Sequence, residues 1–209
     1  MRMPSSDARA SLERKVAAYN ANVAGALPYL TDRGITAETA DRFRLGVDPT
    51  GRLVIPYLSP AGPWHLKYRC ITGHDCKTEG HGKYGYDPGS EQHLFNAQTL
   101  LDAERVVVTE GELDAIAVEQ AGMNAVAYPG AETWAKCKHW RWCFDSVVEI
   151  VVVADGDQPG RKAAGAVCDS LRLSAHADVR VVVLPDGHDS NSFINEYGDL
   201  AYLEELEWL

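Results

Sequence analysis

RVVVTEGELD (residues 105–114) and EIVVVADGDQPGRKAA (residues 149–164) decide how this chain is to be read. Each begins as a β-branched apolar run and ends in carboxylates and glycines. A valine-rich run without polar alternation predicts a strand covered on both faces, the habit of parallel sheets. Each is followed by a helical pattern: ELDAIAVEQAG closes at Gly122, and PGRKAAGAVCDSLRL opens at Pro159. NAVAYPG and VRVVVLP predict two further strands, and TWAKCKHW another helix. Strands alternating with helices imply an α/β domain, a parallel sheet of about four strands with helices on both faces. It occupies residues 101–209 and ends in an acidic helix.

Residues 1–100 have a different rhythm and predict a smaller mixed α+β lobe. The chain from 11 to about 45 is helical, with Gly34 as a stop and Thr36 as a new start. RLVIPYL and WHLKYRC, joined by the turn-rich SPAGP, predict two strands between Arg52 and Cys70. Residues 71–91 are rich in Gly, His and charge and read as an exposed loop.

The 209 residues are 45% hydrophobic, enough for a sizeable core. The longest apolar runs are strand-length, so no membrane span is predicted, and the first residues lack the apolar stretch of a signal peptide. Five cysteines without a CxxC pair suit a reducing cytoplasm. A net charge of −10 argues against a broad basic surface for nucleic acid. The charge is uneven, however. Arg52, Lys67, Arg69, Lys77 and Lys83 face only two acids between 52 and 83, whereas residues 186–209 hold seven acids and no Lys or Arg.

In open parallel sheets, ligands bind at the carboxyl ends of the strands. Glu110 ends one strand and Asp155 and Asp157 follow another; Asp114 lies in the next helix's first turn, and Asp189 just past the fourth strand. Converging carboxylates repel, and burial penalises each, so they call for a cation, with oxygen ligands pointing to Mg²⁺ or Mn²⁺. Gly111, Gly156 and Gly160 would let backbone approach a phosphate. The competing reading makes these acids helix caps and loop solvation, with Asp157 capping the helix at Pro159.

EGELDAIA resembles the EGxxDxxA signature of the Toprim domain, and ADGDQPGRKAA resembles its DxD signature as found in bacterial and phage DNA primases. LPDGHDSNSF is similar to the primase segment LPDGxDPxxF, and YLTDRGITAETADRFRLGV, RLVIP, the Arg of KYRC and KY at 83–84 resemble parts of the upstream primase core. The resemblance covers roughly residues 27–198. It implies a primase that makes short RNA primers on single-stranded DNA from ribonucleoside triphosphates during replication, with two divalent metals. Glu110, Asp155 and Asp157 would be catalytic; together with Asp114 and Asp189 they would hold metal. Arg52, Arg69, Lys83, Tyr84, Arg161 and Lys162 would meet template or nucleotide phosphates. Asn191 stands where the family often has an acid, and His93 and Leu94 where a basic residue is usual. No CxxH/CxxC zinc-ribbon pattern occurs, so the resemblance implies a separate zinc-binding module, a replicative helicase, or both, as partners. A Toprim nuclease and a non-catalytic replisome adaptor are the alternatives.

Cys70, His74, Cys76 and His81 form a C-x3-H-x-C-x4-H cluster whose ligand types suit zinc; the spacing is no common finger pattern, and ordinary loop residues are the competing reading. Cys137, His139 and Cys143, crowded among Trp134, Trp140 and Trp142, read as packing. Trp64 and Tyr68 are candidates for base stacking or for core.

Overall fold

The structure is a computed structural model describing residues 5–173 and 176–198. The chain forms two compact units, Met1–Glu91 and Gln92–Leu209. Residues 92–100, grouped with the first lobe by sequence rhythm, pack in the second: Leu94 and Leu100 join its core, and Phe95 bridges to Ala127.

The first unit opens with helix α1 (Ser6–Asn20), capped by the Ser5 side chain, followed by α2 (Leu27–Thr31) and α3 (Ala37–Arg42). Gly34, at φ 70°, turns the chain after α2, and the Thr36 hydroxyl accepts the Thr39 amide at 3.1 Å to start α3. Both signals act as expected. Strands β1 (Gly46–Val47), β2 (Leu53–Ser59), β3 (Gly62–Arg69) and β4 (Tyr84–Tyr86) make an antiparallel sheet in that order. Alternation along β2 and β3 sorts side chains by face. Val54, Leu66 and Tyr68 pack against Val16, Leu12 and Tyr19 of α1. Leu53, Ile55, His65, Lys67 and Arg69 lie on the other face, where Arg69 pairs with Tyr84 and Lys67 with Tyr86 across β3 and β4. The stretch read as one exposed loop, 71–91, therefore contains a strand. Tyr-Gly-Tyr is too short to show alternation, and only its pairing with β3 makes it regular.

The second unit holds β5 (Arg105–Thr109), α4 (Glu112–Gln120), β6 (Ala125–Ala127), α5 (Ala131–Lys136), β7 (Glu149–Ala154), α6 (Gln158–Arg172), β8 (Asp178–Val183) and α7 (Ser190–Tyr197). Its four strands are parallel, in the order β6-β5-β7-β8. One face carries Val106, Val108, Ile150 and Val152, packed on Ala164, Val167 and Leu171 of α6 and on Trp134, Trp140 and Phe144. The opposite face carries Val107 and Val153 and is covered by α4, which also packs on α7. Helices therefore cover both faces, as the valine runs predict. Full burial of a side chain such as Phe144 or Leu171 contributes about 1.5–3 kcal/mol. TWAKCKHW becomes α5 and then a 3₁₀ segment, Lys138–Phe144, whose Trp140 is fully buried, with Cys137 and Cys143 packed against the same core. The packing reading holds for Trp134, Trp140, Cys137 and Cys143, whereas His139 and Trp142 are exposed. The acidic stretch beyond 198, expected to be helical, lies outside the described residues. Among the described residues no helix is long and apolar enough to cross a membrane.

Candidate active site

Register brings the acids to one edge of the second unit. Val108 pairs with Val152, and Ala154 with Val183, so β5, β7 and β8 end together. Glu110 follows β5 directly, Asp155 follows β7, Asp157 caps α6, and Asp189 caps α7 after β8. Asp114 sits in the first turn of α4. Their charges act on one another. Burial first, then Glu110, Asp189 and Asp157, push the Asp155 carboxyl up to about 7. Burial, then Asp189 and Asp155, hold Asp114 well above the usual carboxylate range. Tyr128, buried just after β6, has its phenol pushed up by burial and then by Glu110, Asp155 and Asp114.

Two of the five acids are helix caps. Asp157 Oδ1 accepts the Gly160 amide at 2.7 Å. Asp189 Oδ1 accepts the Ser192 amide at 2.7 Å, while the Ser192 hydroxyl accepts the Asp189 amide at 3.0 Å, a reciprocal cap. Capping fixes where these carboxylates stand and occupies one oxygen of each. Asp114 is pinned differently: its Oδ1 accepts the Asn191 amide at 2.9 Å, tying α4 to the start of α7. At the position where an acid is common, Asn191 acts here through its backbone.

The glycines serve the protein's own packing. A Cβ on Gly156 would collide with the Pro185 carbonyl, one on Gly111 with the Asp114 carboxylate, and one on Gly160 with Asp155. None of the three has positive φ. The Gly156 amide also donates to the His188 carbonyl at 2.8 Å, joining the loop after β7 to the loop after β8.

The donor set is all oxygen and anionic, which fits a hard divalent cation. The carboxylates share a field without closing into a tight cage. Among the described residues, the one group of three or more metal-type ligand atoms that closely converges is Cys70, His74, Cys76 and His81. Two residues beside the acids were not singled out from sequence: Glu112, buried on α4, and Tyr128. Glu112 lies inside EGELDAIA and could have been found there; Tyr128 carries no sequence signal of its own.

The basic residues separate by location. Arg161 pairs with Asp186 and also donates to the Gly156 carbonyl at 3.3 Å, so it braces a loop beside the acids instead of pairing with Asp155 or Asp157. Lys162 is exposed on α6. In the first unit, Lys67, Arg69 and Lys83 gather round Tyr84, at 4.5, 5.3 and 5.9 Å from its ring centroid, and Arg69 donates to the Tyr84 hydroxyl at 2.9 Å. Arg52 is not among them. Its guanidinium lies over Tyr68 at 4.6 Å, on the α1 face, and its Nε and Nη2 donate to buried Asp48 at 2.9 and 2.7 Å. Tyr68 belongs to the core and Trp64 is half-buried. Lys67, not among the residues expected to meet phosphates, is the buried member of this cluster.

A family profile described as Toprim-like matches residues 107–194, the span that carries all five acids. The Gene 57 protein of Mycobacterium phage D29 is 34% identical over 162 residues, covering 75% of this chain and 98% of that protein. The chain belongs to the Toprim primase-core family. The DNA primase of Pseudomonas aeruginosa is 38% identical to this primase core over 182 residues, 83% of the chain. The chain spans only 26% of that primase's length. Among solved structures, a primase domain from Pseudomonas aeruginosa superposes with a TM-score of 0.77 at 24% identity, covering 96% of this chain and 78% of that one. The catalytic domain of the primase DnaG bound to single-stranded DNA gives 0.72 at 22%, covering 92% and 75%. The Aquifex aeolicus primase, comprising zinc-binding and RNA polymerase domains, gives 0.73 at 25%, covering 97% and 60%. Toprim primases use divalent metal, and the donor set of this primase core fits one.

Proposed function

We propose that this primase core is a nucleotidyltransferase that joins ribonucleotides into short primers on single-stranded DNA during replication in the cytoplasm. The observation that carries the reading is the placement of Glu110, Asp114, Asp155, Asp157 and Asp189 at the carboxyl ends of β5, β7 and β8, where burial and then neighbouring acids hold the Asp114 and Asp155 carboxyls up. A binding module gains nothing from burying carboxylates side by side, where desolvation and mutual repulsion both penalise the charged form.

Glu110, Asp155 and Asp157 would hold Mg²⁺ or Mn²⁺, with Asp114 and Asp189 completing the site. When bound, the metal supplies charge neutralisation for the phosphates and acidifies the attacking hydroxyl. Glu110 takes the proton of the primer's 3′-hydroxyl; the 3′ oxygen bonds to the α-phosphorus, and the bond to pyrophosphate breaks. Asp157 and Asp189 are held in place by the helices they cap, and Asp114 by the Asn191 amide, so little reorganisation is left for the reacting state. Lys162 and Arg161 meet the triphosphate; Lys67, Arg69, Lys83 and Tyr84 track the template. The solved relative bound to single-stranded DNA supports the template class, and the Aquifex structure supports a zinc-binding module as a partner. A replicative helicase is a further partner on the same reading.

The test is incubation with labelled ribonucleotides, single-stranded DNA and Mn²⁺, with and without an added primase zinc-binding module, scoring oligomers and template together. Oligomers that vanish in Glu110→Gln are expected. Template degradation without oligomers in either arm would replace this reading with the nuclease one.

A further inference from the structure

Residues 70–83 connect β3 to β4 with little apolar material to order them, and most are exposed. Their backbone is nevertheless tightly folded. The Cys70 amide donates to the Lys83 carbonyl at 2.8 Å, closing the loop at its neck. The His81 amide donates to the Cys76 carbonyl at 2.9 Å, and the Asp75 carboxylate accepts the Lys77 amide at 2.9 Å. This folding gathers one ligand atom each from Cys70, His74, Cys76 and His81, all within 4.8 Å of one another.

We propose that this loop binds a structural zinc ion through Cys70, His74, Cys76 and His81. Two thiolates and two imidazoles are the donor set of tetrahedral Zn²⁺ and are poor ligands for Mg²⁺ or Ca²⁺. Bond lengths of about 2.3 Å to sulfur and 2.0–2.1 Å to nitrogen place neighbouring ligand atoms about 3.3–3.8 Å apart in a tetrahedron. Cys70 Sγ lies 3.5 Å from His74 Nε2, and His74 Nε2 lies 2.8 Å from His81 Nε2. Adjustments of about an ångström or less complete the geometry.

The surrounding hydrogen bonds point the same way. His81 Nδ1 lies 3.1 Å from the Gly82 carbonyl and His74 Nδ1 lies 3.0 Å from the Thr72 hydroxyl. A ligating histidine commonly donates its second N–H to such an oxygen, leaving the other nitrogen to bind metal. Both rings then turn Nε2 lone pairs towards each other, an arrangement a shared cation stabilises. The Thr72 hydroxyl, accepting from His74, is free to donate to Cys70 Sγ at 2.9 Å. These contacts are those of a ligand set and its supporting shell, inside the lobe that carries the Tyr84 cluster. The ion would fasten β4 to β3 where Arg69, Lys83 and Tyr84 meet.

The proposal stands apart from the polymerase reading. The full chain, purified under reducing conditions, is assayed for zinc content and titrated with Co²⁺. One zinc per chain, tetrahedral cobalt bands and thiolate-to-cobalt charge transfer are expected; Cys70→Ser/Cys76→Ser loses all three, and Glu110→Gln keeps them. Thr72→Val, which leaves every ligand in place, should keep the spectrum and bind about 10–100-fold more weakly, and it remains informative if the double variant does not fold. Absence of thiolate charge transfer, a Cys70–Cys76 disulfide in place of metal, or undiminished zinc in the double variant would overturn it.

Discussion

Arg52 and Arg69, equivalent in the sequence reading, should separate cleanly on substitution. Arg52 serves Asp48, whose side chain is 3% exposed. Burial opposes ionisation there, yet the Asp48 carboxyl is held below its usual value by the Arg52 amide, the Thr50 hydroxyl and the Arg52 guanidinium. Arg52→Ala removes the two guanidinium bonds and leaves those from Thr50 and the residue 52 amide. Hydrogen bonds to a charged group contribute about 1.5–3 kcal/mol. Because the Arg52 side chain is 43% exposed, screening reduces the expected loss to about 1–2 kcal/mol. In urea unfolding that is a midpoint lowered by roughly 1 M for a small unit. The loss should shrink in acid: a depressed carboxyl stabilises above its unfolded value of 3.8 and ceases to as pH falls through the folded one. Single-stranded DNA binding across a salt series provides the second readout. Arg69→Ala should lower the salt slope by about 0.7, one phosphate contact on a single strand, while Arg52→Ala leaves it unchanged. Arg52→Ala with normal stability and a reduced slope would refute the assignment of these residues by face.

Asp155→Asn should stabilise the chelator-treated protein at pH 8 by about 2 kcal/mol, half of what a rise from 3.8 to about 7 implies, the discount being for solvent screening. The sign follows from a folded value above the unfolded one: stability is full below 3.8 and lost as pH rises to about 7, so the variants should converge near pH 4 in calorimetry. Mn²⁺ should then raise the melting temperature of the wild type far more than that of Asp155→Asn; equal responses would remove Asp155 from the metal site. Gly156→Ala drives a methyl into the Pro185 carbonyl and should destabilise by about 1–3 kcal/mol with loss of primer synthesis, whereas unchanged melting and activity would show that the two loops can separate.

The sheet was legible because β5 and β7 need no partner to declare themselves: valines on both faces leave parallel pairing as the economical solution. The short β4 was not, since Tyr84–Tyr86 is regular only through β3. Residues 92–100 hold apolar residues without a strong period, and only the tertiary contacts of Leu94, Phe95 and Leu100 assign them to the second unit. At the site, chemistry was legible and detail was not. The sequence offered capping and charge convergence as competing accounts of Asp157 and Asp189, and both hold, because a carboxylate has two oxygens. Parity along β3 already joins 67 to 69, but only the register between β2 and β3 separates residue 52 from them. The Cys/His spacing resembles no common finger because its convergence depends on a loop fold closed by the Cys70–Lys83 bond.

The bond from Gly156 to the His188 carbonyl, with Pro185 pressed against the same glycine, has a bearing on how this architecture can vary. Two loops separated by a helix and a strand fit one another with no room for a methyl group, so neither can lengthen or change composition alone. They should be inherited, exchanged or redesigned as one cassette, and chimaeras that swap only ADGDQPG or only LPDGHD should fail even when both parents are active.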